Sequence, residues 1–143
     1  MRISRASLYA VLATVQLSES SASAPVPCSH LSKLGDMPER FLLQVLRNLV
    51  NEGLLKSTRG VDGGYRLAKP LSQISLLDIV EAIDGPIQPE LPQISGLTPQ
   101  SQRKMAEALG DIAADAKKRL GGVMLSQLKP ATSAANGKAR RTG

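Results

Sequence analysis

Arg40, Gln44, Arg47 and Asn51 recur at steps of three and four along Met37 to Leu55, which sets four hydrogen-bonding side chains on one helical face. Such side chains reach phosphate oxygens and the donor and acceptor edges of purines, and Leu43 among them can touch a thymine methyl. Further along, Arg59 and Arg66 flank the phrase Gly60-Val61-Asp62-Gly63-Gly64, where an arginine on a glycine-rich hairpin suits a narrow minor groove or its phosphates. The phrase lacks the Lys-Ser/Thr end of a nucleotide-phosphate loop, and Asp62 carries the wrong charge for one. No acid/base pair, no nucleophile beside a base and no metal set stands at workable spacing, so catalysis is not expected. Cys28 and His30 are the only Cys and His; no carboxylate follows at ligand spacing, and His30 reads as a surface residue.

Positioning those side chains requires a helix with a buried back, and Leu42, Val45, Leu46, Leu49 and Leu54 supply it. A first helix is predicted over 3–19, with Leu8, Val11, Leu12, Val15 and Gln16 in its inward stripe. After a Ser/Ala/Pro-rich loop, a short helix from Pro27 or Cys28 to Leu34 buries Leu31 and Leu34. Gly35 is the natural residue for a positive φ there, and Pro38 suits a first helical position. Helix, tight turn, helix is followed by strands expected at 54–59 and 65–68, a hairpin in the place of a wing. Ser75 caps a helix from Leu76 to Asp84, with Leu77, Val80 and Ile83 inward and Gly85-Pro86 ending it. Thr98-Pro99 opens a last long helix on which Met105, Leu109, Ile112, Ala116 and Leu120 form one narrow stripe of the kind that packs against a partner. Gly121-Gly122 ends it, and 123–128 adds a turn.

The expected class is therefore mainly α with a small β-hairpin: a winged helix-turn-helix over 1–87, a proline-rich linker over 88–98, a dimerisation helix over 99–128 and a disordered basic tail over 129–143. The formal charge of +6 is uneven. Residues 1–87 carry nine Lys/Arg against eight Asp/Glu, whereas 88–143 carry nine against four. One cysteine excludes an intramolecular disulfide and fits a reducing compartment. No apolar run approaches the roughly 20 residues of a membrane span, and the start lacks the apolar stretch of a secretory signal, so a cytoplasmic protein without a membrane partner is expected. Few aromatics argue against stacking on single-stranded bases.

Met1-Arg2-Ile3-Ser4 leading to Tyr9-Ala10, the helix from Pro38 to Gly53 with Leu54-Leu55-Lys56-Ser57, the phrase Arg59 to Ala68 and the run Ile74 to Pro86 together resemble the Rrf-two family of bacterial winged-helix regulators, which includes the IscR, NsrR and CymR types. The likeness covers residues 1–128. It implies a homodimer on a partly palindromic operator in double-stranded DNA, most simply a repressor, with the stripe helix packing on its counterpart and on the partner's first helix. Arg40, Leu43, Gln44 and Arg47 would enter the major groove and Arg59 the minor groove, supported by Arg2, Ser4, Lys33, Lys56 and Tyr65; Pro38, Phe41, Gly63 and Gly64 complete the expected DNA face. Many members hold an iron-sulfur cluster through three Cys between the fourth helix and the dimerisation helix. Here Gln88 to Gln100 contains no Cys and no His, so no cluster and no other cofactor is expected.

Three routes of regulation stay open: Cys28 as a redox thiol, its pKa lowered by a helix N-terminus, against an inert small residue; an unknown small-molecule or protein effector between the long helix and the winged helix; or constitutive binding. The competing reading of the whole is a winged-helix protein-interaction module without specific DNA binding, which Glu39, Asp62 and the near-neutral first 87 residues favour.

Overall fold

In the computed structural model, which describes residues 2–20 and 24–131, helix α1 spans Arg5–Glu19, α2 Cys28–Gly35 and α3 Glu39–Asn51. Strands β1 (Leu55–Thr58) and β2 (Gly64–Leu67) follow, then α4 (Leu76–Asp84) and α5 (Pro99–Gly121), with single 3-10 turns at Leu71–Gln73 and Leu125–Gln127.

The amphipathic pattern of α3 is realised: Leu42, Val45, Leu46 and Leu49 are buried against α1, α2 and α4. On α1 the small residues Ala10 and Ala13 are fully buried, which lets α3 approach closely, and the Thr14 hydroxyl donates to the Ala10 carbonyl at 2.6 Å. The expected inward stripe shifts, however. Leu8 is 55% exposed, and so is Leu34, which is not the buried partner of Leu31. In α4 the fully buried residue is Ile79; Val80 is buried with it, while Leu77 and Ile83 are only half-buried. A helical wheel gives the apolar side of a helix; which apolar residues are covered depends on how many neighbours pack there.

Turn chemistry also differs in detail. Asp36, not Gly35, takes the left-handed conformation after α2 (φ 51°), with its N–H on the Ser32 carbonyl. Gly35 leaves room for side chains: a Cβ there would lie 2.5 Å from the Met37 methyl and 2.9 Å from Leu12, which would have to shift. Pro38 is the N-cap residue and not the first helical one. The hairpin is antiparallel with Leu55 opposite Leu67 and Thr58 opposite Gly64, one residue inside the predicted limits of β1 and one residue earlier for β2. A third strand-like partner, invisible locally, sits on its far side: Val26 and Tyr65 exchange backbone bonds of 2.9 and 2.8 Å, tying the segment before α2 to the wing.

Ser75 closes a full capping box with Asp78, and Thr98 caps α5 with Pro99 next, both as the sequence indicates. The segment after α5 returns to the first unit. Leu76 N–H bonds Val123 (2.7 Å), Leu125 N–H bonds Ile74 (2.8 Å), and Leu125 is fully buried in the main core. Residues 123–128, grouped by sequence with the dimerisation helix, thus complete the core of the winged unit. The expected tail lies outside the described residues from 132 onward.

Candidate nucleic-acid interface

Burying the apolar side of α3 forces its other side outward, and Arg40, Gln44, Arg47 and Asn51 are all exposed there. Leu43 is half-buried. Gln44 lies 3.5 Å from the Asn48 side chain one turn on, a loose contact that leaves its amide available. Glu39, at the start of α3, is also exposed. Phe41 is 42% exposed and packs edge-to-face on Tyr9 of α1, ring centroids 5.6 Å apart, so its ring braces α3 against α1 while one edge stays open.

Beside α3 the wing projects Arg59, Lys56 and Arg66, all exposed, and Val61 stands fully clear of the protein at its tip. The glycines expected to admit a polyanion have internal duties. A Cβ on Gly63 would fall 2.2 Å from the Thr58 carbonyl oxygen, and one on Gly64 within 2.4 Å of the Val26 backbone. Gly64 also has φ 154°, outside the range side-chain-bearing residues favour. Both glycines shape the hairpin and its junction with Val26; only Gly60 faces open space.

Tyr65 marks the seam between wing and helix. Burial raises its phenol above the ordinary range, the neighbouring Cys28 thiol adds to the rise, and Arg47 pulls it down. Cys28 of α2 and Arg47 of α3 are thus both near enough to Tyr65 of β2 to bias its charge. Cys28 itself departs from expectation: burial, and then the charge of Glu39, raise its thiol instead of lowering it, and its Sγ lies 3.7 Å from the Glu39 carbonyl as a weak donor.

Of the outlying candidates, Arg2 and Lys33 are exposed. Ser4 is committed internally. Its hydroxyl accepts from Ser7 N–H as the N-cap of α1 and donates to Asp84 Oδ1 (2.7 Å), while the Ser7 hydroxyl donates to Asp84 Oδ2 (2.8 Å). Asp84 thereby fills the anion-favouring end of α1, the place where a phosphate contact by Ser4 was expected. The stripe residues Met105, Leu109 and Ile112 are 42%, 38% and 65% exposed, and Ala116 and Leu120 are half-buried, so α5 presents its apolar edge outward.

A family model described as an iron-dependent transcriptional regulator, Rrf2, matches residues 3–130. The chain belongs to the Rrf2 family. A protein of Mycobacterium tuberculosis named as an HTH-type transcriptional regulator is 40% identical over 87 residues, 61% of this chain and 54% of that one. The HTH-type transcriptional regulator CymR of Bacillus subtilis is 32% identical over 89 residues, 62% of this chain and 64% of its own. The chain thus spans about half to two thirds of the length of these curated relatives. The solved structure of the B. subtilis CymR, titled the global cysteine regulator, superposes with a TM-score of 0.69 at 26% identity, covering 90% of this chain and 95% of that one. The fold is that of these winged-helix regulators.

Iron in the Rrf2 model's description does not suit the donors present here. The chain has one Cys and one His, and among the described residues no three His, Cys, Asp or Glu gather into a metal-holding group. A thiolate cluster needs several such ligands. Among the described residues no helix is long and apolar enough to cross a membrane.

Proposed function

We propose that this Rrf2 protein is a sequence-specific regulator that grips double-stranded DNA as a homodimer, without an iron-sulfur cluster, most simply as a repressor on a partly palindromic operator. The observation that carries the reading is the outward face of α3 with the Arg59 wing packed beside it. Arg40, Gln44 and Arg47 supply donors for phosphates and purine edges, and Leu43 an apolar contact for thymine. Arg59, Lys56, Lys33 and Arg2 act on phosphates, with Arg59 reaching the minor groove. Dimerisation falls to the open stripe of α5, and the exposed Leu8 on α1 offers the partner's α5 an apolar landing.

The test is a fluorescence-anisotropy titration of the full chain on duplexes tiled across its own promoter, repeated over a salt series. One duplex bound well above the rest, with affinity falling steeply as salt rises, supports the reading. Uniform weak binding to every duplex refutes it and leaves the protein-interaction module, which the exposed Glu39 on α3 would suit.

A further inference from the structure

Residues 91–97 fold over the first two turns of α5 and border an open hollow of about 710 Å³, within the range of small-molecule sites. Its wall is mostly apolar, with Gln93 and Ser95 among the liners: Leu91, Ile94, Leu97 and Met105 line it, and each residue is 36 to 47% exposed, an apolar concentration that a solvent-facing surface rarely keeps. The wall is also held in shape. The Gln102 amide donates to the carbonyls of Ile94 (3.2 Å) and Leu97 (3.0 Å), fastening the loop to the helix. One cation, Arg103, stands in the lining, and among the described residues it has no ion-pair partner.

We infer that this hollow binds a small organic anion with an apolar body, the body lying among Leu91, Ile94, Leu97, Met105 and Ala106 and its acid group on Arg103. Charge decides the class: an apolar wall with a single unpaired guanidinium favours a carboxylate or sulfonate over a cation or a neutral chain. Position decides against a second copy as the occupant. At 3.6 residues per turn, Ala106 lies about a quarter turn and Arg103 about two fifths of a turn around α5 from the centre of the Met105, Leu109, Ile112, Ala116 and Leu120 stripe. A helix seated on the stripe borders the hollow at Met105 and leaves it open. The site adjoins the proposed dimer surface, so a bound anion would reach the DNA face through dimer geometry; that consequence rests on the function proposed above, whereas binding itself does not.

The experiment therefore omits DNA. The full chain is titrated with anilinonaphthalenesulfonate by fluorescence, then with decanoate and with decylamine as competitors, and its mass is followed by sedimentation. The expected result is saturable binding of one probe per protomer, displaced by decanoate and not by decylamine, weakened about tenfold or more by Arg103→Ala, as for loss of a hydrogen bond to a charged group. Ala106→Trp, which fills the hollow from an exposed position, should abolish binding with the mass unchanged. No saturable binding, equal displacement by acid and amine, or unaltered binding by both variants overturns the proposal. Loss of binding that accompanies loss of the dimer in Ala106→Trp overturns it too and makes the hollow an interface between copies.

Discussion

Replacing Gly64 with alanine tests whether the wing is held by its seam with Val26. The new Cβ would stand 2.4 Å from both the carbonyl carbon and oxygen of Val26 and 2.7 Å from the Pro27 nitrogen, all backbone atoms with no flexible end to swing away. Two costs add. An alanine at φ 154° carries about 1 to 3 kcal/mol of backbone strain. Relief of the clash moves β2 off Val26 and breaks the 2.9 and 2.8 Å bonds between Val26 and Tyr65, about 0.5 to 1.5 kcal/mol each. Gly60→Ala is the internal control: its φ of 112° imposes comparable strain, but nothing lies within 4 Å of the new carbon. Gly64→Ala should therefore lose about 1 to 3 kcal/mol more than Gly60→Ala, which for a domain of this size separates their melting temperatures by about 4 °C or more. Thermal unfolding by circular dichroism measures both. Equal melting temperatures would refute the seam. If the seam also aims Arg59, Gly64→Ala weakens DNA binding at a temperature where the protein remains folded.

Arg59→Ala should weaken binding on every duplex, whereas Gln44→Ala should erase discrimination at one base pair at a cost of about 1 to 3 kcal/mol; a binding matrix over single-base operator variants separates the two roles, and identical profiles would sink the assignment. Leu109→Asp places a charge in the open α5 stripe and should give a monomer-weight species in sedimentation, while an unchanged mass would move the dimer contact elsewhere. Because burial and Glu39 raise the Cys28 thiol, its thiolate stays scarce at neutral pH and grows only as pH climbs past the ordinary thiol range. Its alkylation by iodoacetamide should accordingly run slower at pH 7 than that of a free model thiol and quicken at higher pH, and Glu39→Gln should speed it at neutral pH. Asp84→Ala strips the acceptor from the fully buried Ser7 and should cost about 1 to 3 kcal/mol in urea unfolding, more than Ser4→Ala in an otherwise unchanged chain.

How much of this was legible in the sequence follows the range of each interaction. Helix α4 is bounded by signals within a few residues: Ser75 with Asp78 at one end, Gly85 at the other, and the predicted Leu76–Asp84 limits match the structure. Thr98-Pro99 and Gly121-Gly122 bound α5 in the same way. The outward face of α3 was equally readable, since the period of its leucines fixes what remains outside. The misses belong to long-range contacts. Asp84 meets Ser4 across 80 positions, Val26 meets the wing through backbone atoms that carry no residue code, and Leu125 returns to a core whose other buried members end at Ile79. The expected lowering of the Cys28 pKa was reversed for a related reason. The helix N-terminus was visible in sequence, whereas the covering of the thiol and the approach of Glu39 arise only once α2 and α3 cross.

The return of Leu125 constrains how the two working surfaces can communicate. Helix α5 is 23 residues long, about 35 Å at 1.5 Å per residue, and none of its residues is fully buried. Its C-terminal end is fixed: Gly121 sits 3.6 Å, measured from a built Cβ, from Leu77 of α4, and the pairing of Ser75 with Met124 seats Leu125 beside the core that backs α3. Its N-terminal end is held by the 91–97 loop through Gln102, on a linker that leaves α4 at Gly85. A long rod fixed firmly at one end and by a loop at the other turns about the fixed end. In a dimer made through the stripe, the spacing of the two α3 helices would then be set by the joint at Gly121 to Leu125, and whatever alters the loop end alters that spacing through the angle of the rod. Stiffening the joint or shortening the loop should change operator half-site spacing preference before it changes the contacts of Gln44 or Arg47 with any base.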